Sequence, residues 1–175
     1  MDPFATLGLE RNFDLDLRSV EKTHRELSRT LHPDRFSSAG ATERRMALSK
    51  AVEVNESWRI VRDPIRRAEA LFTLAGIPVG EDREPKPSGA LLMDMMEQRE
   101  ALAEAKEHHD MKAVGALAEA IEERAQGVER ALAEGFSGSN GDRAHLEALV
   151  PKLGELRFYR RFLDEVSAIE DELDG

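Results

Sequence analysis

The sequence predicts an all-α chain built from two helical units, and three observations carry that expectation. Aromatic residues make up only 5% of the 175 positions, and Ala, Leu, Glu and Arg are abundant, a composition suited to helices rather than sheets. Apolar residues recur at steps of three and four along several long segments, which places them on one helix face. Proline and glycine interrupt the pattern at Gly76-Ile77-Pro78-Val79-Gly80 and at Pro85-Lys86-Pro87-Ser88-Gly89, as a linker would. The expected organisation is a unit over residues 1–76, a linker over 77–89 and a second unit over 90–175. Charge divides in the same place. Residues 1–78 hold 13 Lys and Arg against 12 Asp and Glu, a net of +1, whereas residues 79–175 have a net of −11.

In the first unit, residues 17–31 read as an amphipathic helix. Val20, His24, Leu27 and Leu31 step by 4, 3 and 4 along one face, and Arg18, Lys22, Arg25 and Arg29 form a second stripe on the far side. A charged helix face is often no more than a solvated one. Four cations along one stripe of an acidic protein also suit docking to an acidic partner. His32-Pro33-Asp34 ends the helix, because the residue before a proline is pushed out of the α region and Asp favours turns. Taken alone this is an ordinary helix stop with a surface histidine. A second long helix is expected from about Thr42 to Arg62, with Ala47, Ala51, Val54, Trp58 and Val61 forming a seam suited to packing on the first. Trp58 lies on that seam and is expected in the core. Asp63-Pro64 then restarts the chain into a short helix over 65–75, with Ala68, Leu71, Phe72 and Ala75 apolar.

Three helices are expected in the second unit. The first runs from about Gly89 to His109 with Ser88 as N-cap. The second runs from about Met111 to Glu134, with Val114, Leu117, Ile121, Ala125, Val128 and Leu132 on its stripe. The third spans about Asp142 to Leu173 and carries Leu149, Leu153, Leu156, Leu163, Val166, Ile169 and Leu173. Pro151 is expected to kink this helix or confine its regular part to the C-terminal side. Gly135-Phe136-Ser137-Gly138-Ser139-Asn140-Gly141 reads as the connecting loop. In the first of these helices Leu91, Leu92, Met93, Met95 and Met96 cover most of the circumference. Leu91, Met95 and Leu102 can serve a core, which leaves Leu92, Met93 and Met96 without an inward role. Methionine is flexible and polarizable and suits an adaptable contact surface. Glu97 and Glu100 can flank it, and burial of this helix on two sides is the alternative.

The ordered string Leu31-His32-Pro33-Asp34-Arg35-Phe36, Val54-Asn55-Glu56-Ser57-Trp58, Arg62-Asp63-Pro64 and Arg67-Ala68-Glu69-Ala70-Leu71 resembles the HscB co-chaperones, as does the opening Asp2-Pro3-Phe4 with Leu7-Gly8-Leu9. Leu31 and Arg35 depart from the Tyr and Lys common in that family. Leu92-Met93-Asp94 with Glu97-Gln98-Arg99-Glu100-Ala101-Leu102 is similar to the family segment that binds the iron–sulfur scaffold protein IscU, and Leu156-Arg157-Phe158 resembles a second such segment. Asp94 stands where Glu is more usual, and Gly154-Glu155 where the family tends to be basic. The resemblance implies an N-terminal J-domain, a helical hairpin with short flanking helices, and a C-terminal three-helix bundle. It implies docking on an ATP-dependent chaperone of the HscA or DnaK type through His32, Pro33, Asp34 and Arg35, with Arg18, Lys22, Arg25 and Arg29. It implies scaffold binding through Leu92, Met93, Met96, Glu97, Glu100 and Phe158. A J-protein with another client, and a helical adaptor that self-associates through 91–100, are the alternatives.

Other chemistry finds little support. With no Cys, the chain cannot form disulfides, thiolate metal sites or a cysteine nucleophile, and a reducing, cytoplasmic setting is expected. The histidines His24, His32, His108, His109 and His145 contain no i, i+4 pair, so no metal or other cofactor is expected. No enzyme-like arrangement of Ser, His and Asp is recognisable, and the 135–141 glycines follow no strand that would make them a phosphate cradle. The net charge of −10 argues against general nucleic-acid binding. No apolar run approaches the roughly 20 residues that cross a bilayer. Met1-Asp2-Pro3-Phe4 lacks the basic and apolar regions of a signal peptide.

Overall fold

In a computed structural model that describes residues 1–80 and 85–174, every regular element among the described residues is helical. Linker residues 81–84, Gly175 and the side chains of Leu173 and Asp174 lie outside the described residues. The chain divides into compact units at Met1–Ile77 and Pro78–Gly175.

The first unit contains α1 (Pro3–Thr6), α2 (Leu17–Thr30), a 3-10 turn (Pro33–Phe36), α3 (Ala41–Arg62) and α4 (Pro64–Leu74). Asp side chains start three of the helices. Asp2 accepts from the amides of Phe4 and Ala5, Asp16 from Arg18 and Ser19, and Asp63 from Ile65 and Arg66. Each such cap is worth about 1 kcal/mol against alanine. α4 ends where Gly76, at φ +72°, takes the left-handed conformation that glycine adopts without strain. The amide of Ile77 then bonds the carbonyl of Phe72 at 2.9 Å. Ile77, expected as the first linker residue, is therefore packed into the unit and is only 3% exposed. Ala75, expected among the apolar positions of this helix, is its exposed C-cap instead.

α2 and α3 pack as a hairpin along the expected seam. Val20, Ala47, Val54 and Val61 are buried, and Leu27, Leu31 and Ala51 are half-buried. The core also takes Phe4, Leu7, Phe13, Ala68, Leu71 and Phe72 from the flanking elements. Burying a side chain such as Phe4 or Phe72 in full stabilises the unit by roughly 1.5–3 kcal/mol. Trp58 differs from its expected core position. It is half-buried at the rim, stacked on His24 with centroids 5.4 Å apart, while His24 Nε2 lies 2.9 Å from Asn55 Oδ1. An indole and an imidazole can share such a rim because each has an apolar face and a polar edge. The guanidinium of Arg67 is buried over the Phe13 ring, 4.6 Å from its centroid, and donates to the carbonyl of Val61.

The second unit is a three-helix bundle of α5 (Gly89–Glu107), α6 (Met111–Gly138) and α7 (Arg143–Asp174). Ser88 caps α5 by accepting from the Leu91 amide. Met95, Leu102, Val114, Ile121, Val128, Leu132, Leu153, Leu156, Val166 and Ile169 form the core, joined by Leu146, Val150, Tyr159 and Phe162. Two local expectations change. Residues 135–138 are not loop, because α6 continues to Gly138. Gly135 carries that turn against α7, where a Cβ would stand 2.4 Å from Leu149 Cδ2. The helix is extended by packing that glycine makes possible, against its weak intrinsic helix preference. α7 likewise runs unbroken through Pro151, which forgoes one backbone N–H without confining the helix to its C-terminal side.

Candidate functional site

Each unit presents one candidate surface. In the first, Leu31 closes α2 and Pro33 forces His32 into extended backbone at φ −62°, ψ 134°. His32 then caps the 3-10 turn, its Nδ1 lying 3.3 Å from the Asp34 amide and 3.4 Å from Asp34 Oδ2. A neutral imidazole accepts from that amide, and a protonated one pairs with the carboxylate. The Arg35 amide bonds the His32 carbonyl at 3.0 Å, which closes the turn. The side chains of His32 and Asp34 remain 59% and 89% exposed, and Pro33 and Arg35 are exposed as well. Local bonds thus hold a stiff corner that is open to a partner. Arg18, Lys22, Arg25 and Arg29 are all exposed along α2, and Arg25 pairs with Glu21 at 2.5 Å. Eleven residue steps of helix, from Arg18 to Arg29, extend the stripe over about 16 Å. The seam pattern left one feature of this unit unassigned, the exposed apolar side chains Met46, Leu48 and Val52 on α3.

The second surface lies on α5. Met95 and Leu102 are 4% and 1% exposed, whereas Leu92, Met93 and Met96 are 42%, 66% and 71% exposed. Glu97 and Glu100 are exposed beside them. Asp94 is turned the other way, into an ion pair with Arg124 of α6, so it holds the bundle together rather than joining the patch. Burial, with Glu155 and Asp94 nearby, pushes the Tyr159 hydroxyl above its ordinary range, although Arg124 opposes the shift.

Two ion pairs define the α5–α7 seam. Lys106 meets Glu172 at 2.6 Å and Arg99 meets Glu165 at 3.4 Å, both across 66 residues of sequence. An equal offset one heptad apart means that α5 and α7 run in the same direction along the seam. The next heptad toward the start of α5 places Leu92 at the level of Phe158. The two segments that sequence comparison left separate therefore fall on one rung of the bundle. Phe158 is half-buried, with the Arg161 guanidinium 4.8 Å from its ring centroid. Beside it opens a groove of about 600 Å³, walled by Leu91 and Phe158 and by the segment that precedes α5. Its residues come from the segment before α5, the first turn of α5 and the stretch of α7 from Pro151 to Arg161.

No helix among the described residues is long and apolar enough to cross a membrane. No group of three or more His, Asp and Glu that could hold a metal occurs among the described residues. His108 caps the end of α5, its Nδ1 2.9 Å from the Glu104 carbonyl.

Comparison with known proteins bears on both units. Residues 88–167 match the family model described as the HSCB C-terminal oligomerisation domain. A co-chaperone protein HscB homolog from Bordetella avium is 34% identical over 169 residues, covering 97% of each chain. Another from Burkholderia cenocepacia is 34% identical over 172 residues, covering 98% of this chain and 95% of its own. Among solved structures, chaperone HscB from Vibrio cholerae aligns over 99% of both chains with a TM-score of 0.83 and 28% identity. The human co-chaperone protein HscB shares the fold, with a TM-score of 0.85 at 21% identity over 97% of this chain and 82% of its own.

Proposed function

The chain belongs to the HscB co-chaperone family, and from that premise we propose that it is a J-type co-chaperone that brings an IscU-like iron–sulfur scaffold protein to an HscA- or DnaK-type chaperone and stimulates that chaperone's ATPase for cluster transfer. The observation that carries the proposal is the pairing of a basic, corner-bearing surface in one unit with a methionine-rich apolar patch in the other. Arg18, Lys22, Arg25 and Arg29 steer association with an acidic surface, a contribution expressed mainly in the on-rate. His32, Pro33, Asp34 and Arg35 engage the chaperone on a corner whose ordering cost is already met within the turn. Preferential binding to the hydrolysis-competent conformation shifts the chaperone toward that state, so the ATP chemistry remains the chaperone's own. Leu92, Met93, Met96 and Phe158 bury apolar area against the scaffold, and Glu97 and Glu100 form its acidic rim. Carrying both sites on one chain raises the effective concentration of scaffold at the chaperone.

Steady-state ATPase assays with the chaperone and scaffold test the first surface. His32→Gln abolishes stimulation while circular dichroism and the thermal midpoint stay unchanged, and undiminished stimulation refutes the assignment. Titration calorimetry tests the second. Alanine at Leu92, Met96 or Phe158 weakens scaffold binding by about 1 kcal/mol or more each where the residue is a hot spot. Native affinity in all three variants removes the scaffold from that surface. The description of the matched family model, an oligomerisation domain, favours a second reading in which the α5 patch joins two copies of the chain. Sedimentation of the native protein and the Met96→Ala variant separates the two, since only self-association changes the native mass.

A further inference from the structure

Two helices of this chain carry charge stripes of opposite sign and nearly equal length. On α5, Glu97, Glu100, Glu104 and Glu107 recur at steps of 3, 4 and 3, so they share one face over about 15 Å. All four are exposed, and none makes an ion pair or a side-chain hydrogen bond among the described residues. The cations of the same stretch are turned away, Arg99 to Glu165 and Lys106 to Glu172 on the seam with α7. Glu104 and Glu107 thus carry an unneutralised face beyond the apolar patch, where Ala103 beside them leaves room for a neighbouring helix. On α2, Arg18, Lys22, Arg25 and Arg29 recur at steps of 4, 3 and 4 over about 16 Å. Arg18, Lys22 and Arg29 make no ion pair among the described residues, and Arg25 pairs only with Glu21, one turn earlier. Like charges three and four residues apart destabilise the helix that carries them, so both stripes are relieved by a partner of opposite sign.

We propose that two copies of this chain associate by laying the α2 stripe of one along the α5 stripe of the other. Helices that pack side by side at a shallow crossing angle stay in contact over three turns, which is the length of both stripes. Charge sets the choice of partner face. An α5 stripe repels a second α5 stripe and an α2 stripe repels a second α2, so only unlike helices pair. Single exposed ion pairs contribute little, and several along one helix give a weak, reversible contact that salt dissolves. This contact differs from self-association through the apolar patch, which buries Met93 and Met96 and responds little to salt. It does not depend on the patch binding a scaffold. Where the α2 stripe also docks the chaperone, as proposed above, a chain paired in this way withholds it.

The test is sedimentation velocity of the full chain across a dilution series, at about 10 mM and about 1 M ionic strength, where the screening length is about 30 Å and about 3 Å. The native protein is expected to gain mass with concentration at low salt and to return to the monomer at high salt. Two charge-reversed variants divide the contact. Glu104→Lys with Glu107→Lys reverses the α5 stripe outside the residues assigned to the scaffold, and Arg18→Glu with Lys22→Glu reverses the α2 stripe. All four positions are exposed, and circular dichroism checks that each variant keeps its helices. Each variant alone is expected to associate about tenfold or more weakly at low salt, because its two stripes now carry the same sign. An equimolar mixture is expected to associate again, since the intact α2 of one variant meets the intact α5 of the other. A native chain that stays monomeric at every concentration at low salt overturns the inference. So does native mass retained in both variants, which moves self-association to the apolar patch, and so does a mixture that stays monomeric.

Discussion

Replacing Gly135 with alanine tests the packing that turns an apparent loop into helix. On intrinsic preference alone the substitution stabilises the last turn of α6 by about 0.5–1 kcal/mol. The tertiary structure opposes it. A Cβ at Gly135 would lie 2.4 and 2.7 Å from the two Cδ atoms of Leu149 and 3.1 Å from its Cγ. Rotating the Leu149 methyls clears the first two contacts but not the third, so χ1 must change or α6 and α7 must separate. Overpacking of this kind costs about 1–3 kcal/mol, which leaves Gly135→Ala less stable than the native protein by about 1 kcal/mol. In a Leu149→Ala background the clashing atoms are gone, and the same change then stabilises by about 0.5–1 kcal/mol. A double-mutant cycle in urea is therefore expected to show a coupling of about 2 kcal/mol, well above the few tenths seen for independent sites. If Gly135→Ala stabilises the native background, or the cycle closes without coupling, then α6 does not pack on Leu149 as described.

Two further perturbations probe the first unit. The Ser57 hydroxyl is fully buried without a hydrogen-bond partner among the described residues, so Ser57→Ala is expected to be neutral or to stabilise by about 1 kcal/mol in chemical denaturation. Loss of more than that amount would reveal a bond to the hydroxyl. At Asp2, burial raises the carboxyl pKa, yet the amides of Ala5 and Phe4 and the guanidinium of Arg11 outweigh it and hold the group below its ordinary range. A pKa lower in the folded than in the unfolded chain stabilises the fold in full above about pH 4 and fades as pH falls through the folded value. The difference in thermal midpoint between the native protein and Asp2→Asn is therefore expected to be largest near neutrality and to shrink in acid, and a constant difference refutes the assignment.

Most of the local architecture was legible in the sequence because its causes are local. Asp63 followed by Pro64, Ser88 before the Leu91 run, and Pro33 after His32 act through bonds and sterics spanning three or four residues. The division of α5 was legible for the same reason, since a single helix face cannot bury Leu91, Met95 and Leu102 and also Leu92, Met93 and Met96. Trp58 was less so. Its heptad position is correct, but its stack on His24 at the rim depends on where α2 ends relative to α3. Met46, Leu48 and Val52 lie off the seam of α3, and periodicity alone says only that they do not belong to it.

The sequence by itself determined which segments are helical, where most of them start, and which side chains of each face inward, because helix period, capping and proline sterics operate over a turn or two. The tertiary structure alone decided that α6 runs on through Gly135 and that α7 passes through Pro151, since in both places packing outweighs a local preference worth only a few kcal/mol. It alone brought Leu92 level with Phe158 and gathered Lys86 and Arg161 at one groove. Those residues are separated by 66 and 75 positions along the chain, and the register of two helices, not the period of either one, sets their distance.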